Sequence, residues 1–128
     1  MSVRSIPLPF AMIASDSTSA TFSPVTGWMS AAQISQLRAI WELVSLTSDI
    51  EVAPAYQVAN VEDSPGTSAI ITGSYGTTTG MKYPSTWKDV SSALDSQQLI
   101  RLGWLHKLGS AGSLAVAWVG GKVEMYQE

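Results

Sequence analysis

Few residues in this chain offer chemistry. His106 is the only histidine, hence the only imidazole available as a general base, and there is no cysteine. Those two counts exclude a thiolate nucleophile, a disulfide, thiolate zinc and iron–sulfur sites, and two-histidine metal motifs. A serine nucleophile would need His106 and an acid beside it, yet no serine stands in a G-x-S-x-G elbow. His106 instead falls between Trp104 and Leu108 on an apolar strand face, the setting of a structural imidazole. The acids are Asp16, Glu42, Asp49, Glu51, Glu62, Asp63, Asp89, Asp95, Glu124 and Glu128. Counting alone permits a glycosidase pair, but none of these acids lies in a recognisable signature. Asn60 to Ser64 (NVEDS) offers oxygen ligands without the grammar of an EF-hand and reads as an acidic turn. Gly73, Gly76 and Gly80 sit among threonines with no following lysine, which makes a turn-rich loop rather than a phosphate cradle. The expectation is therefore no catalytic, metal or cofactor site, and no enzyme.

The aromatic residues are more informative. Five tryptophans, Trp28, Trp41, Trp87, Trp104 and Trp118, exceed average usage, and such side chains either fill a core or grip a partner. Trp41, Trp104 and Trp118 fall within strand-like runs and are expected inside. Trp28, Tyr75, Tyr83 and Trp87 border loops rich in glycine, proline and threonine, where rings stack on sugars or anchor a protein interface. Polar neighbours such as Gln57, Asn60 and Gln98 would serve a sugar.

The elements that must position these residues follow from the spacing of turns and apolar positions. Turn clusters recur at Ser15 to Ser19, Thr47 to Asp49, Asp63 to Gly66, Tyr75 to Gly80, Gly109 to Gly112 and Gly120-Gly121. Between them runs period-two alternation. Ile100, Leu102, Trp104, His106 and Leu108 share one face of a strand, with Arg101, Gly103, Leu105 and Lys107 on the other. After a four-residue turn, Ser113 to Val119 and Lys122 to Tyr126 read as two further strands joined by a tight hairpin at Gly120-Gly121. Residues 31–46 are ambiguous. Ser30-Ala31-Ala32-Gln33 fits a capping box, and Ile34, Leu37, Ile40 or Trp41, and Val44 recur at helical spacing. Yet Leu37, Ala39, Trp41 and Leu43 alternate with Arg38, Ile40, Glu42 and Val44, and the break at Thr47 to Asp49 leads into Ile50, Val52, Pro54, Tyr56 and Val58. A hairpin over 37–58 is favoured, with any helix short and near Ser30 to Gln36. The count comes to eight or nine strands, which predicts an all-β antiparallel sandwich, jelly-roll-like, with at most one short helix.

Length and charge set the remaining bounds. The 128 residues suit one domain, read as an N-terminal arm or edge strand over 1–14 and a single β-sandwich over 15–128. Hydrophobic residues at 45% against 13% charged argue against disorder. A net charge of -3 leaves no basic excess for phosphates or an anionic bilayer, so neither nucleic acid nor membrane is expected as a partner. The apolar stretch Ile6 to Ala14 superficially suggests a signal peptide, but Pro7 and Pro9 break a helical h-region and suit an extended strand or arm; a soluble protein without targeting is the expectation. With Phe10, these prolines join the loop aromatics as candidate partner-binding residues.

Low charge, Ser/Thr/Gly-rich loops, absence of cysteine and the segment Ile6-Pro7-Leu8-Pro9-Phe10 together resemble small virion proteins of tailed bacteriophages, especially capsid decoration or cement proteins. Trp41 to Asn60 (WELVSLTSDIEVAPAYQVAN) and Gln98 to Trp118 (QLIRLGWLHKLGSAGSLAVAW) also look like paired hairpins of jelly-roll accessory domains. The resemblance implies a homo-oligomeric structural protein located in the virion, binding the major capsid protein or another virion protein in many copies and stabilising the lattice. A carbohydrate-binding β-sandwich module using the same loop aromatics is the alternative.

Overall fold

The alternating runs fold into two antiparallel sheets packed face to face. The structure is a computed structural model that describes residues 2–47, 49–83, 86–94 and 97–127. Asp95 and Glu128, two of the acids considered above, lie outside the described residues, as do Met1 of the N-terminal segment and Ser48 of the turn at 47–49. One sheet has the order β1 (Ser2–Ser15), β10 (Ala115–Gln127), β4 (Ile34–Leu46), β7 (Gly80–Lys82), and β8 (Lys88–Asp89) also pairs β4. The other runs β2 (Thr21–Pro24), β9 (Leu99–Leu108), β5 (Ile50–Ala59), β6 (Pro65–Ile70), and β3 (Met29–Ser30) also pairs β9. Taking β2 with β3 and β7 with β8 as interrupted single strands, the chain alternates between sheets in the order of a jelly roll, the two-sheet solution for eight antiparallel strands. We call them the β1 sheet and the β9 sheet.

This topology corrects both predicted hairpins. Residues 37–58 are indeed strands, but β4 and β5 belong to opposite sheets, and the turn at 47–49 is an arch between layers. Asp49 adopts a positive φ of 81° there, a conformation Asp tolerates better than most residues. Its side-chain Oδ2 accepts from the Ser110 backbone N–H at 3.0 Å and its carbonyl from the Gly109 N–H at 2.7 Å, tying this arch to the one between β9 and β10. At the C-terminal end, β10 runs unbroken through Gly120-Gly121 and pairs β1 and β4, not β9. The two glycines answer a need for space rather than a turn. A Cβ on Gly120 would lie 2.5 Å from the Phe10 ring, and one on Gly121 would strike the Ile40 carbonyl. Phe10 sits where β1 shifts register between Leu8 and Ala11, so bulge and glycine fit each other. The β5–β6 pair is a true hairpin.

Residues 31–33 form a turn with Gln33 at positive φ, and the single described helix, α1 (Ser91–Leu94), lies elsewhere, which corrects the helix expected near Ser30 to Gln36. The Asp89 carboxylate accepts from the Ser91 hydroxyl and N–H, and these bonds hold its pKa below the usual carboxylate range. The alternation sorted core from surface as expected: Leu37, Ala39, Trp41 and Leu43 face Val52, Tyr56, Val58, Ile100, Leu102 and Trp104 across the interior. Trp41 and Trp104 meet at its centre with ring centroids 5.6 Å apart and planes tilted 56°. Burial of such rings contributes roughly 1.5–3 kcal/mol each, with about 0.5–1.5 more from the ring pair. Trp118 departs from expectation. Ala117 and Val119 take the inward positions of β10, so alternation puts Trp118 on the outside, 39% exposed. Its run was continuously apolar and carried no periodicity to show which parity faces in.

Candidate functional site

His106 is buried, its Nε2 lies 2.8 Å from Ser23 Oγ, and its Nδ1 has no partner. Burial pushes its pKa below the usual imidazole value, so it stays neutral near pH 7. Glu42 and Glu51, which a hairpin over 37–58 would set on facing strands, stand on β4 and β5 in different sheets. Among the described residues no three His, Asp or Glu side chains group as a metal site.

The loop aromatics divide among three places. Trp28 borders a shallow depression with Ser30, Asn60, Glu62, Asp63 and Gln98, where β3 and the β5–β6 turn meet. The Arg101 guanidinium lies 4.3 Å from its ring centroid and is held by two bonds to Gln57 Oε1, at 2.9 and 2.7 Å. Trp87 lies against β4 and β10, edge-on to Tyr126 at 6.0 Å, with Arg38 4.3 Å from its centroid. Arg38 in turn forms a 2.8 Å ion pair with Glu124. Tyr75 and Tyr83 line one open cleft of about 450 Å³ together with Trp41, Thr72, Thr78, Met81 and Lys82.

The loop after β6 builds that cleft. Gly76 exchanges hydrogen bonds with Val52 at 2.7 and 3.3 Å, and its Cα packs so closely on the Trp41 ring that a Cβ would lie 2.5 Å from it. Only glycine lets the loop cross this edge of the sandwich. Lys82 Nζ donates to Thr78 Oγ1 at 3.2 Å, fixing the opposite wall. Tyr75 carries Lys107 4.9 Å from its ring, and burial, with Glu51 nearby, raises its phenol pKa. Tyr83 is different: it is 71% exposed, and no cation pairs with its ring among the described residues. The cleft thus presents the exposed Tyr83 ring, threonine hydroxyls and the Lys82 ammonium.

At the N-terminal end, Pro7 and Pro9 sit exposed on β1, the edge strand of its sheet, and Phe10 follows at the bulge. Sequence reasoning missed the cations that cap the rings, although it placed Arg101 and Lys107 on one face of β9, six residues apart. It also missed Met81 and Lys82, because β7 is only three residues long.

Comparison with known proteins places the fold. No family model matches the chain, and no curated protein matches it in sequence. Two solved structures match in shape. One is the crystal structure of the infectious bursal disease virus VP2 subviral particle, with a TM-score of 0.64, 11% identity, and coverage of 97% of this chain and 32% of that one. The other is the structure of the Gt strain of infectious bursal disease virus, with a TM-score of 0.62, 10% identity, and coverage of 98% and 33%. The chain therefore shares its fold with part of each of these neighbours and spans about a third of their length.

Proposed function

We propose that this chain is a structural component of a virion, acting as a decoration or cement-like protein that binds a capsid lattice in many copies and stabilises it. The observation that carries the reading is the near-complete superposition of the chain on one third of a viral particle protein. Fold alone does not specify function, since jelly rolls also serve lectins and cupins. The site chemistry adds support: the one histidine is buried against Ser23, and Tyr83 and Phe10 are among the large apolar side chains left exposed. The partner is the major capsid protein or another virion protein, with Tyr83 and Phe10 touching it directly. Trp28, Tyr75 and Trp87, each beneath a cation, shape the surface around those contacts. Pro7 and Pro9 keep the β1 edge from recruiting a stray strand. Assignment to a tailed bacteriophage rests on the loop composition and the N-terminal segment alone. Many weak contacts displayed together attach tightly, because each engaged site raises the effective concentration at the next.

The test is co-sedimentation of the chain with shells assembled from the capsid protein encoded beside it. Saturable binding that Tyr83→Ala weakens supports the reading. A chain that stays in the supernatant, while its tryptophan emission responds to a soluble polysaccharide, replaces it with the carbohydrate module that the cleft's ring and hydroxyls would also suit.

A further inference from the structure

Trp28, Asn60 and Gln98 come from three separate segments, and the fold brings them around one depression. Trp28 precedes β3, Asn60 follows β5 and Gln98 precedes β9. β9 pairs both of the other strands, with Met29 opposite Ile100 and Ala59 opposite Leu99, so the three segments lie side by side. The Gln98 N–H donates to the Ala59 carbonyl at 3.2 Å, and its carbonyl accepts from the Ala31 N–H at 3.0 Å, which fixes the backbone that carries its side chain. The turn over 61–64, closed by the Ser64 N–H donating to the Val61 carbonyl at 3.2 Å, sets Glu62 and Asp63 at its corner. The depression has a volume of about 550 Å³. That lies inside the range of roughly 300–1,000 Å³ for small-molecule sites. Gln57, the other amide expected to serve a sugar, is spent on Arg101.

The Trp28 ring is held before any ligand arrives. Arg101 lies 4.3 Å from its centroid, and Gln57 pins the guanidinium in place. Neither Arg101 nor Gln57 borders the depression, so guanidinium and depression take different parts of the ring. Asn60, Glu62, Asp63 and Gln98 are exposed, and among the described residues neither carboxylate joins an ion pair. Two amides that donate and accept, and two carboxylates that accept only, thus stand beside one fixed aromatic surface.

We infer that this depression binds a neutral pyranose sugar, its C–H face against Trp28 and its hydroxyls bonded to Asn60, Gln98 and the two carboxylates. A sugar ring combines an apolar face with a rim of hydroxyls, each of them donor and acceptor. Those hydroxyls donate to Glu62 and Asp63 in charge-assisted bonds and exchange bonds with the amides. Charge narrows the class. No Lys or Arg borders the depression, so an acidic sugar or a phosphate would face both carboxylates without compensation. A cation is disfavoured for the opposite reason: the ring already holds a guanidinium, which repels a second positive group at the same surface. An apolar protein contact would strip water from two unpaired carboxylates. The site is also separate from the Tyr83 cleft. Gly76 of that cleft is bonded to Val52, and Asn60 lies eight positions further along the chain through β5. At about 3.3 Å per residue this is roughly 26 Å. The inference goes beyond the virion reading, and its test uses the isolated chain, so either can fail alone.

The experiment is a nuclear magnetic resonance titration with the methyl glycosides of glucose, galactose and mannose, each to about 50 mM. It follows the indole N–H signals of the five tryptophans and saturation transfer from the protein to the sugar C–H protons. At least one sugar should bind with a dissociation constant on the order of 1 mM, as suits a shallow, wet site, and should shift the indole signal that Trp28→Ala removes. Trp28→Ala should weaken binding at least about tenfold, and Trp28→Phe should retain most of it. Asn60→Ala with Gln98→Ala should weaken it by a similar factor at an unchanged melting temperature, since both side chains are exposed. Tyr83→Ala should bind as the wild type does, and N-acetylneuraminic acid and choline should leave the Trp28 signal unmoved. No response to any of the three sugars at about 50 mM would overturn the inference. So would binding that survives Trp28→Ala or the double amide variant, or a Trp28 signal that answers to choline or the acidic sugar instead.

Discussion

Replacement of His106 by glutamine should remove a pH dependence of stability that the wild-type chain owes to one buried ring. Of the two neutral tautomers, the one that donates Nε2–H to Ser23 Oγ avoids an orphaned buried donor and leaves the partnerless Nδ1 as a bare lone pair. Protonation would create a second buried N–H with no acceptor as well as a buried charge, which is why burial lowers the folded-state pKa. The unfolded chain, near the ordinary value of about 6.5, then binds a proton that the folded chain refuses. Stability from this group is complete above about pH 7 and declines as pH falls below about 6.5, until the depressed folded-state pKa is reached. The slope across that window is at most about 1.4 kcal/mol per pH unit, which for a domain of this size moves the melting temperature by roughly 3–6 °C. Glutamine cannot titrate there. It should cost about 1–2 kcal/mol at pH 7.5 through lost ring packing, and that deficit should shrink towards pH 5.5. Denaturant unfolding of both proteins at several pH values isolates the effect, because the carboxylates titrate alike in each. Parallel stability curves, or a deficit that widens in acid, would falsify the burial argument.

Three further outcomes follow from packing. Trp104→Ala should cost about 3–5 kcal/mol in urea unfolding, whereas Trp118→Ala should cost under about 1, because one ring is enclosed and the other is surface. In Gly103→Ala the new Cβ meets the Ser23 carbonyl and the Pro24 Cα, so β2 must lift from β9; a loss of about 2–4 kcal/mol is expected by thermal melting. Tyr83→Ala should leave the melting temperature within about 1–2 °C while reducing shell binding, since the ring is mostly solvated.

The parity of β4 and β9 was legible in the sequence, whereas that of β10 around Trp118 and the pairing of strands were not. Leu37, Ala39, Trp41 and Leu43 announced an inward face because polar or half-exposed neighbours separate them, and a period of two needs only local information. Pairing depends on where a turn sends the chain. An arch and a hairpin can share the same short polar turn, so Thr47 to Asp49 gave no sign that β5 would join the opposite layer. Gly120-Gly121 read as a turn because glycine signals flexibility, whereas its use here is the missing Cβ beneath Phe10 and Ile40. For the binding surfaces, composition pointed to aromatics beside loops but could not separate capped rings from free ones. That distinction depends on Arg38, Arg101 and Lys107 reaching across strands distant in sequence.

The topology also explains how so small a chain builds the cleft beside Tyr83. Because the chain changes sheet at nearly every connection, the segment leaving β6 must cross the open edge of the sandwich to reach β7. That crossing makes the cleft, with Gly76 seated on Trp41 and Tyr83 projecting just beyond β7. The same short strand delivers Met81 to the outer face of its sheet, so one residue lines the cleft and also shows on the sheet surface. Three of the seven basic residues lie over aromatic rings, which leaves few charges near the cleft to oppose the contact proposed for Tyr83.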